Sequence, residues 1–295
     1  MKFGASIYSI SRKILSGEFS PAEAVRWLCE NGAEVIELVP FGIDMIGNAE
    51  LVDELLNVAA KHNVGLENYS LNANFLQISK EQKTAEMSRV KSHIDVAGKL
   101  RLPTMRIDAS GYRRPLETNT ITNFFDDLPE IAKVYDELCG HALKYGITVL
   151  LENHGFHLNG SDRTIQIFET VKNENFALQL DTGNFACVDE SPEIAVKKLV
   201  SRAKTIHIKD FYIRDEDNDP GDATQFDCSG SWFRSQNGRY LRGAILGQGD
   251  LNIRKIVALI KDSGFDGNIF VEFEGMEDPL YGTKVSLLNL RRYFD

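Results

Sequence analysis

The strongest constraint in this chain is a rhythm. Eight short apolar runs recur from one end to the other, KFGASIY, AEVIELV, VGLENYSL, PTMRID, ITVLLE, FALQLDT, KTIHIKD and GNIFVEFE, and a helical pattern follows each. The first helix carries its end signals: Ser20 is placed to cap it, Pro21 suits its first turn and Gly32 its exit. Leu51, Val52, Leu55, Leu56 and Ala59 share one stripe of the second. Met87, Val90, Ile94 and Ala97 do so in a helix predicted from about Lys80 to Leu100. Phe124, Leu128, Ile131, Tyr135, Leu138 and Ala142 mark the next, and TIQIFETVKN, PEIAVKKLVSRA, LNIRKIVALIKDSG and a terminal segment ending SLLNLRRYF complete the set. Short apolar strands joined by helical crossovers require an α/β fold. Eight such units in 295 residues match the (β/α)8 TIM barrel, expected here as one domain over residues 1–295. An open doubly wound sheet gives no reason for eight regular units, and no GxGxxG follows any strand run.

Charge narrows the partners. Lys+Arg of 33 against Asp+Glu of 43 leaves a net charge of -10, which repels phosphate backbones and anionic membranes. No apolar run is long enough to span a bilayer, and the opening MKFGASIYSISRK lacks the features of a signal peptide, so a cytoplasmic protein is expected. Cys29, Cys139, Cys187 and Cys228 are far apart with no CxxC pair, which argues against a disulfide framework or a thiolate metal site.

One connection breaks the rhythm. Residues 211–248, after the seventh strand run, show no clear periodicity and are rich in Asp and Gly. A loop this long, emerging at the catalytic face of a barrel, is expected to be a lid or an interface element, with Trp232 and Phe233 closing over a ligand or anchoring a homo-oligomer. GAILGQGD, near its end, lies where barrels often hold phosphate, but no Lys or Arg immediately follows the glycines, and Asp250 reads as a plain helix cap.

The fifth to eighth strand runs each end in a potential ligand: Glu152, Asp181, His207 and Glu272. Barrel active sites lie at that carboxyl end and draw on several strands. Residues two apart on a strand face the same way, which pairs Glu152 with His154, His207 with Lys209, and Glu272 with Glu274. Taken singly, such residues meet helix N-termini or loop amides. Four on successive strands would crowd three carboxylates into a low-dielectric interior, and a divalent cation resolves that repulsion. The oxygen-rich set with one imidazole favours Mn2+ or Mg2+, with Co2+ or Zn2+ as alternatives.

The ordered set LLENHG, QLDTGN, HIKD and VEFEG, with GQGDLNIRKIVALIKDSGFDGNIFVE joining the last two, resembles the sugar phosphate isomerase/epimerase family, the xylose-isomerase-like barrels. The family also takes in ketose 3-epimerases and inosose dehydratases, and endonuclease IV shares its superfamily. The resemblance implies that Glu152, Asp181, His207 and Glu272 bind one divalent metal and that Glu152 and Glu272 move protons as acid and base. Glu272 is chosen because it ends the apolar run IFV, with Glu274 as the alternative. Ketose 3-epimerases carry a substrate-contacting histidine three residues after the metal aspartate, where this chain has Asn184.

A sugar chelated through a carbonyl and its neighbouring hydroxyl would have an acidified C–H, giving an enediolate that collapses to an isomer, an epimer or, with loss of a hydroxyl, a dehydrated product. The expected activity is therefore a sugar isomerase or epimerase, with a dehydratase of a keto-sugar, keto-inositol or related polyol as runner-up. A non-catalytic sugar-binding module would show neither metal dependence nor turnover. Further substrate contacts are expected from His154, His157, Lys209, Asn184, Arg106, Glu37 and Trp232, while His62, His93 and His141 fall in helices and read as structural.

Overall fold

The computed structural model describes residues 1–221 and 230–295. Seven parallel strands run in chain order: β1 (Lys2–Ser6), β2 (Val35–Leu38), β3 (Gly65–Leu71), β4 (Thr104–Ile107), β5 (Thr148–Glu152), β6 (Phe176–Asp181) and β7 (Ala203–Ile208). A separate sheet of β8 (Asp210–Arg214), β9 (Phe233–Arg234) and β10 (Tyr240–Ala244) comes next, and then β11 (Asn268–Val271), which pairs with both β7 and β1 and closes the barrel. The (β/α)8 architecture expected from the rhythm is thus the fold.

The helices form for the reasons their sequences give. In α2 (Pro21–Glu30) the Ser20 hydroxyl accepts from Glu23 N while the Glu23 carboxylate accepts from Ser20 N, a reciprocal capping box with proline in the first turn. Ser79 and Gln82 repeat the device at Lys80–Lys99. One expected cap is wrong. The helix at Ile253–Asp262 is capped by Asn252, whose side chain accepts from Lys255 N, because its buried face of Ile253, Ile256, Val257 and Ile260 fixes the start two residues later than Asp250 allows. Asp250 instead accepts from Ile213 N at 2.6 Å.

Alternation along the strands sorts the barrel into two layers. Ile36, Met105, Val149, Leu151, Leu178, Leu180, Ile206 and Ile208 join Val25, Leu28, Leu55, Ile94, Leu138, Val196, Ile256 and Leu287 in the main core between strands and helices. The opposite parity faces inward and is polar: Glu37, Asn68, Arg106, Glu152, Gln179, Asp181 and His207 are all at most 5% exposed and are joined by hydrogen bonds and ion pairs across the barrel.

The excursion after β7 is not the aperiodic loop its composition predicts. Phe211 and Ile213 on β8 alternate over too few residues to register as a strand, yet β8 and β9 both pair antiparallel with β10. Phe211, Phe233 and Leu241 build a second apolar cluster there with Phe156 and Cys187. Residues 222–229, with Cys228, lie outside the described residues. Among the described residues, no helix is long and apolar enough to cross a membrane.

Candidate active site

Four barrel strands deliver the predicted quartet. One ligand atom from each of Glu152, Asp181, His207 and Glu272 lies within 4.8 Å of all the others. His207 Nδ1 is 2.9 Å from Glu152 Oε1 and 3.8 Å from both Asp181 Oδ2 and Glu272 Oε2. Asp181 is aimed by its backbone: Oδ1 accepts from Gly183 N at 2.8 Å and Asn184 N at 2.6 Å, which leaves Oδ2 facing the cluster. Glycine is needed at 183, since a Cβ there would lie 2.4 Å from Lys209 Cγ.

The donor set fits a divalent cation. Glu152 Oε1 and Asp181 Oδ2 face His207 and Lys209, yet neither accepts an aligned hydrogen bond, so two buried carboxylate oxygens converge without the partners burial demands. Three carboxylates and one imidazole are a donor set for Mg2+, Mn2+ or related ions. Glu37, expected as a substrate contact, is fully buried behind His207, its Oε2 2.8 Å from Nε2. The carboxylate thus meets the imidazole from behind and does not line the cavity. Asn68 Nδ2 donates to it at 2.6 Å.

Cations balance the carboxylates. Arg106 Nε donates to Glu152 Oε2 at 2.7 Å, and the Lys209 ammonium pairs closely with Glu272 and at 3.3 Å with Asp181 and Glu274. Burial pushes the Glu152 carboxyl up, but Arg106 and His207 beside it hold it well below the usual carboxylate range. Asp181 is pushed up to about 6 and Glu274 to about 7, in both cases chiefly by burial. Burial pulls the His207 and Lys209 pKa values down, while the surrounding carboxylates, Glu37 foremost for His207 and Asp181 for Lys209, raise both well above their ordinary ranges.

Above the cluster opens a cavity of about 420 Å3 lined by Arg106, His154, Asn184, Lys209, Glu272 and Glu274 among others. His154 Nδ1 meets Asp108 Oδ2 at 3.0 Å, and the Asn184 Nδ2 amide is buried without a hydrogen-bond acceptor. Two expected contacts lie elsewhere. His157 is 1% exposed and held by Asn119 and Asp127 away from the cavity, because Arg114 and Arg163 tie its loop into a polar network of its own. Trp232 sits between Arg214 and Arg242, and its neighbour Phe233 lines the cavity instead. Asp108 was missed in the sequence although it stands two residues beyond Arg106, the same-face spacing that found the other pairs.

The chain is 24% identical to an inosose dehydratase of Lacticaseibacillus casei over 172 residues, 58% of this chain and 54% of that protein, so it spans about half the length of the curated relatives it matches. Among solved structures it resembles the probable 3-DHS dehydratase AsbF of Bacillus anthracis (TM-score 0.74, 17% identity, 99% of both chains). It also resembles a D-allulose 3-epimerase of Methylomonas sp. (0.71, 14%, 99% of this chain and 98% of that one). A third is a Mycobacterium smegmatis barrel in complex with magnesium (0.65, 15%, 100% and 98%). At these identities the likeness is one of fold. The family model described as Xylose isomerase-like TIM barrel matches residues 25–293, and the chain belongs to that family.

Proposed function

We propose that this protein is a divalent-metal-dependent sugar isomerase or epimerase in which Glu152 and Glu272 are the acid and base. The observation that carries this reading is their placement. Glu152 ends β5 and Glu272 follows β11, while Asp181 and His207 come from the two strands between, so the glutamates flank the cluster from opposite ends of a four-strand arc. One Mg2+ or Mn2+ ion, with Co2+ or Zn2+ as alternatives, would be held by the quartet, and when bound it would polarise the carbonyl of a hydroxyketone and acidify the neighbouring C–H. Glu152, held ionised by Arg106 on one oxygen, removes a proton from one side of the substrate with the other oxygen. Glu272, on the opposite side, hands the carbon a proton drawn from the Lys209 ammonium paired with it, which inverts the carbon, and the proton taken up by Glu152 leaves to solvent as Lys209 is reprotonated. Return to the adjacent carbon interconverts aldose and ketose. His154 and Asn184 reach the cavity to bind hydroxyls, and Glu37 keeps His207 in orientation.

A second reading, a dehydratase of a keto-sugar or keto-polyol, is favoured by the matched inosose dehydratase and by Lys209, a buried cation placed to protonate a leaving hydroxyl. The two are separated by proton NMR in D2O of Mg2+- or Mn2+-loaded protein with a panel of ketoses, aldoses and keto-inositols. Deuterium entering next to the carbonyl, with a new isomer, supports the first; loss of a hydroxyl-bearing carbon supports the second. Glu152→Gln and Glu272→Gln are expected to fold and to lose turnover by several orders of magnitude, and near-normal activity in either variant rejects its assigned role.

A further inference from the structure

We propose that the substrate is an uncharged keto-polyol bearing an apolar substituent, and that sugar phosphates and sugar acids are excluded; this rests on the hydroxyketone chemistry proposed above. Much of the cavity lining is apolar. Val39, Phe41, Ile43, Met45 and Ile46, from the segment after β2, line it together with Phe211 and Phe233. Phe41 packs edge-on against Tyr8 and stands outside the main core, and Ile46 is 43% exposed, so apolar surface is turned to the ligand space.

Charge points the same way. The cations of the wall are each committed to carboxylates: Arg89 to Glu86 at 2.8 Å, Arg106 to Glu152, and Lys209 to Asp181, Glu272 and Glu274. Asp44, Glu272 and Glu274 line the same space, so among the described lining residues every Lys and Arg already has a carboxylate partner and a phosphate or carboxylate would have to compete for it. The place where barrels hold phosphate, at the loop after the seventh barrel strand, is already filled. Gly247 N, Gly249 N and Leu251 N donate to the Asp210 carboxylate at 2.9, 2.9 and 3.2 Å, and a Cβ at Gly249 would lie 2.3 Å from Asp210 Oδ1.

The test compares D-fructose, D-fructose 6-phosphate and 6-O-benzyl-D-fructose by calorimetry on Mg2+-loaded and EDTA-stripped protein. The benzyl ether is expected to bind at least about tenfold tighter than fructose, and the phosphate no tighter than fructose. Phe41→Ala is expected to erase most of the benzyl gain, lowering the ratio of benzyl-ether to fructose affinity by at least about fivefold, with Ile46→Ser as a second, surface variant should Phe41→Ala misfold. Equal affinity of the benzyl ether and fructose, tighter binding of the phosphate, or no binding of the benzyl ether each overturns the inference. Solvent deuterium exchange is followed on the same samples: a benzyl preference without exchange in any of the three ketoses upholds the apolar compartment and sinks the enediolate chemistry instead.

Discussion

Asp210 offers a sharp test of how the excursion is fastened to the barrel. Its carboxylate is 1% exposed and accepts four backbone N–H groups: Phe211 and Leu251 on Oδ1, Gly247 and Gly249 on Oδ2. In Asp210→Ala the Phe211 amide, in a residue 1% exposed, loses its acceptor and costs about 1–3 kcal/mol, while the three loop amides regain water in part and cost about 0.5–1.5 kcal/mol each. The expected loss is about 4 kcal/mol, a large share of the roughly 5–15 kcal/mol typical of a folded domain. Asp210→Asn keeps an acceptor for Phe211 and Leu251 but turns an NH2 toward Gly247 and Gly249, so about 3 kcal/mol is expected. Urea unfolding followed by circular dichroism measures both through the midpoint at constant slope. Inorganic phosphate should restore part of the Asp210→Ala loss by filling the vacated amides, and should leave the parent protein unaffected. A loss below about 1 kcal/mol in both variants would refute the reasoning.

Acidification should weaken the fold through two buried histidines. Burial holds both His93, bonded to the Tyr69 hydroxyl, and His157 down at about 4, whereas an unfolded imidazole takes its proton near 6.5. The folded pKa is the lower one, so their contribution is complete above about pH 6.5 and is lost as pH falls through 4, at up to about 3 kcal/mol each. Urea midpoints at pH 7 and 4.5 read this, and an acid-induced loss that is no smaller in His93→Gln removes that residue from the cause. His207→Ala should lower Mn2+ affinity by at least about tenfold and shrink the rise in melting temperature that Mn2+ produces. Full metal occupancy after dialysis would remove His207 from the ligand set.

The barrel and the quartet were legible in the sequence for one reason: period-two alternation in short strands fixes both which residues pack outward and which aim at the centre. Ile206 and Ile208 going outward forces His207 inward, and the same parity carries Asp181 and Glu152. What failed to register lay beyond a single strand's pattern. Glu37 was visible as a strand-end acid, but its role depends on a contact with His207 across 170 positions of chain. His157 and Trp232 were given the cavity because they stand near motifs, and proximity in sequence says nothing about direction once the chain leaves the strand. The β8–β10 sheet was hidden because pairing between strands of two to five residues leaves too short an alternation to detect.

That parity also explains how so many carboxylates share one end of the barrel. Glu37, Glu152, Asp181, Glu272 and Glu274 crowd one end of the barrel, and carboxylates buried together would repel one another strongly. Arg106 and Lys209 each come from the same inward-facing parity and are charge-paired within it. His207 stands between Glu37 at one nitrogen and Glu152 at the other, and its raised pKa reflects the surrounding carboxylates outweighing the cost of burial. The cluster is thus built around positive charge, supplied by Arg106, Lys209 and His207. Its geometry is kept by Glu37 behind His207 and by the two amides that aim Asp181.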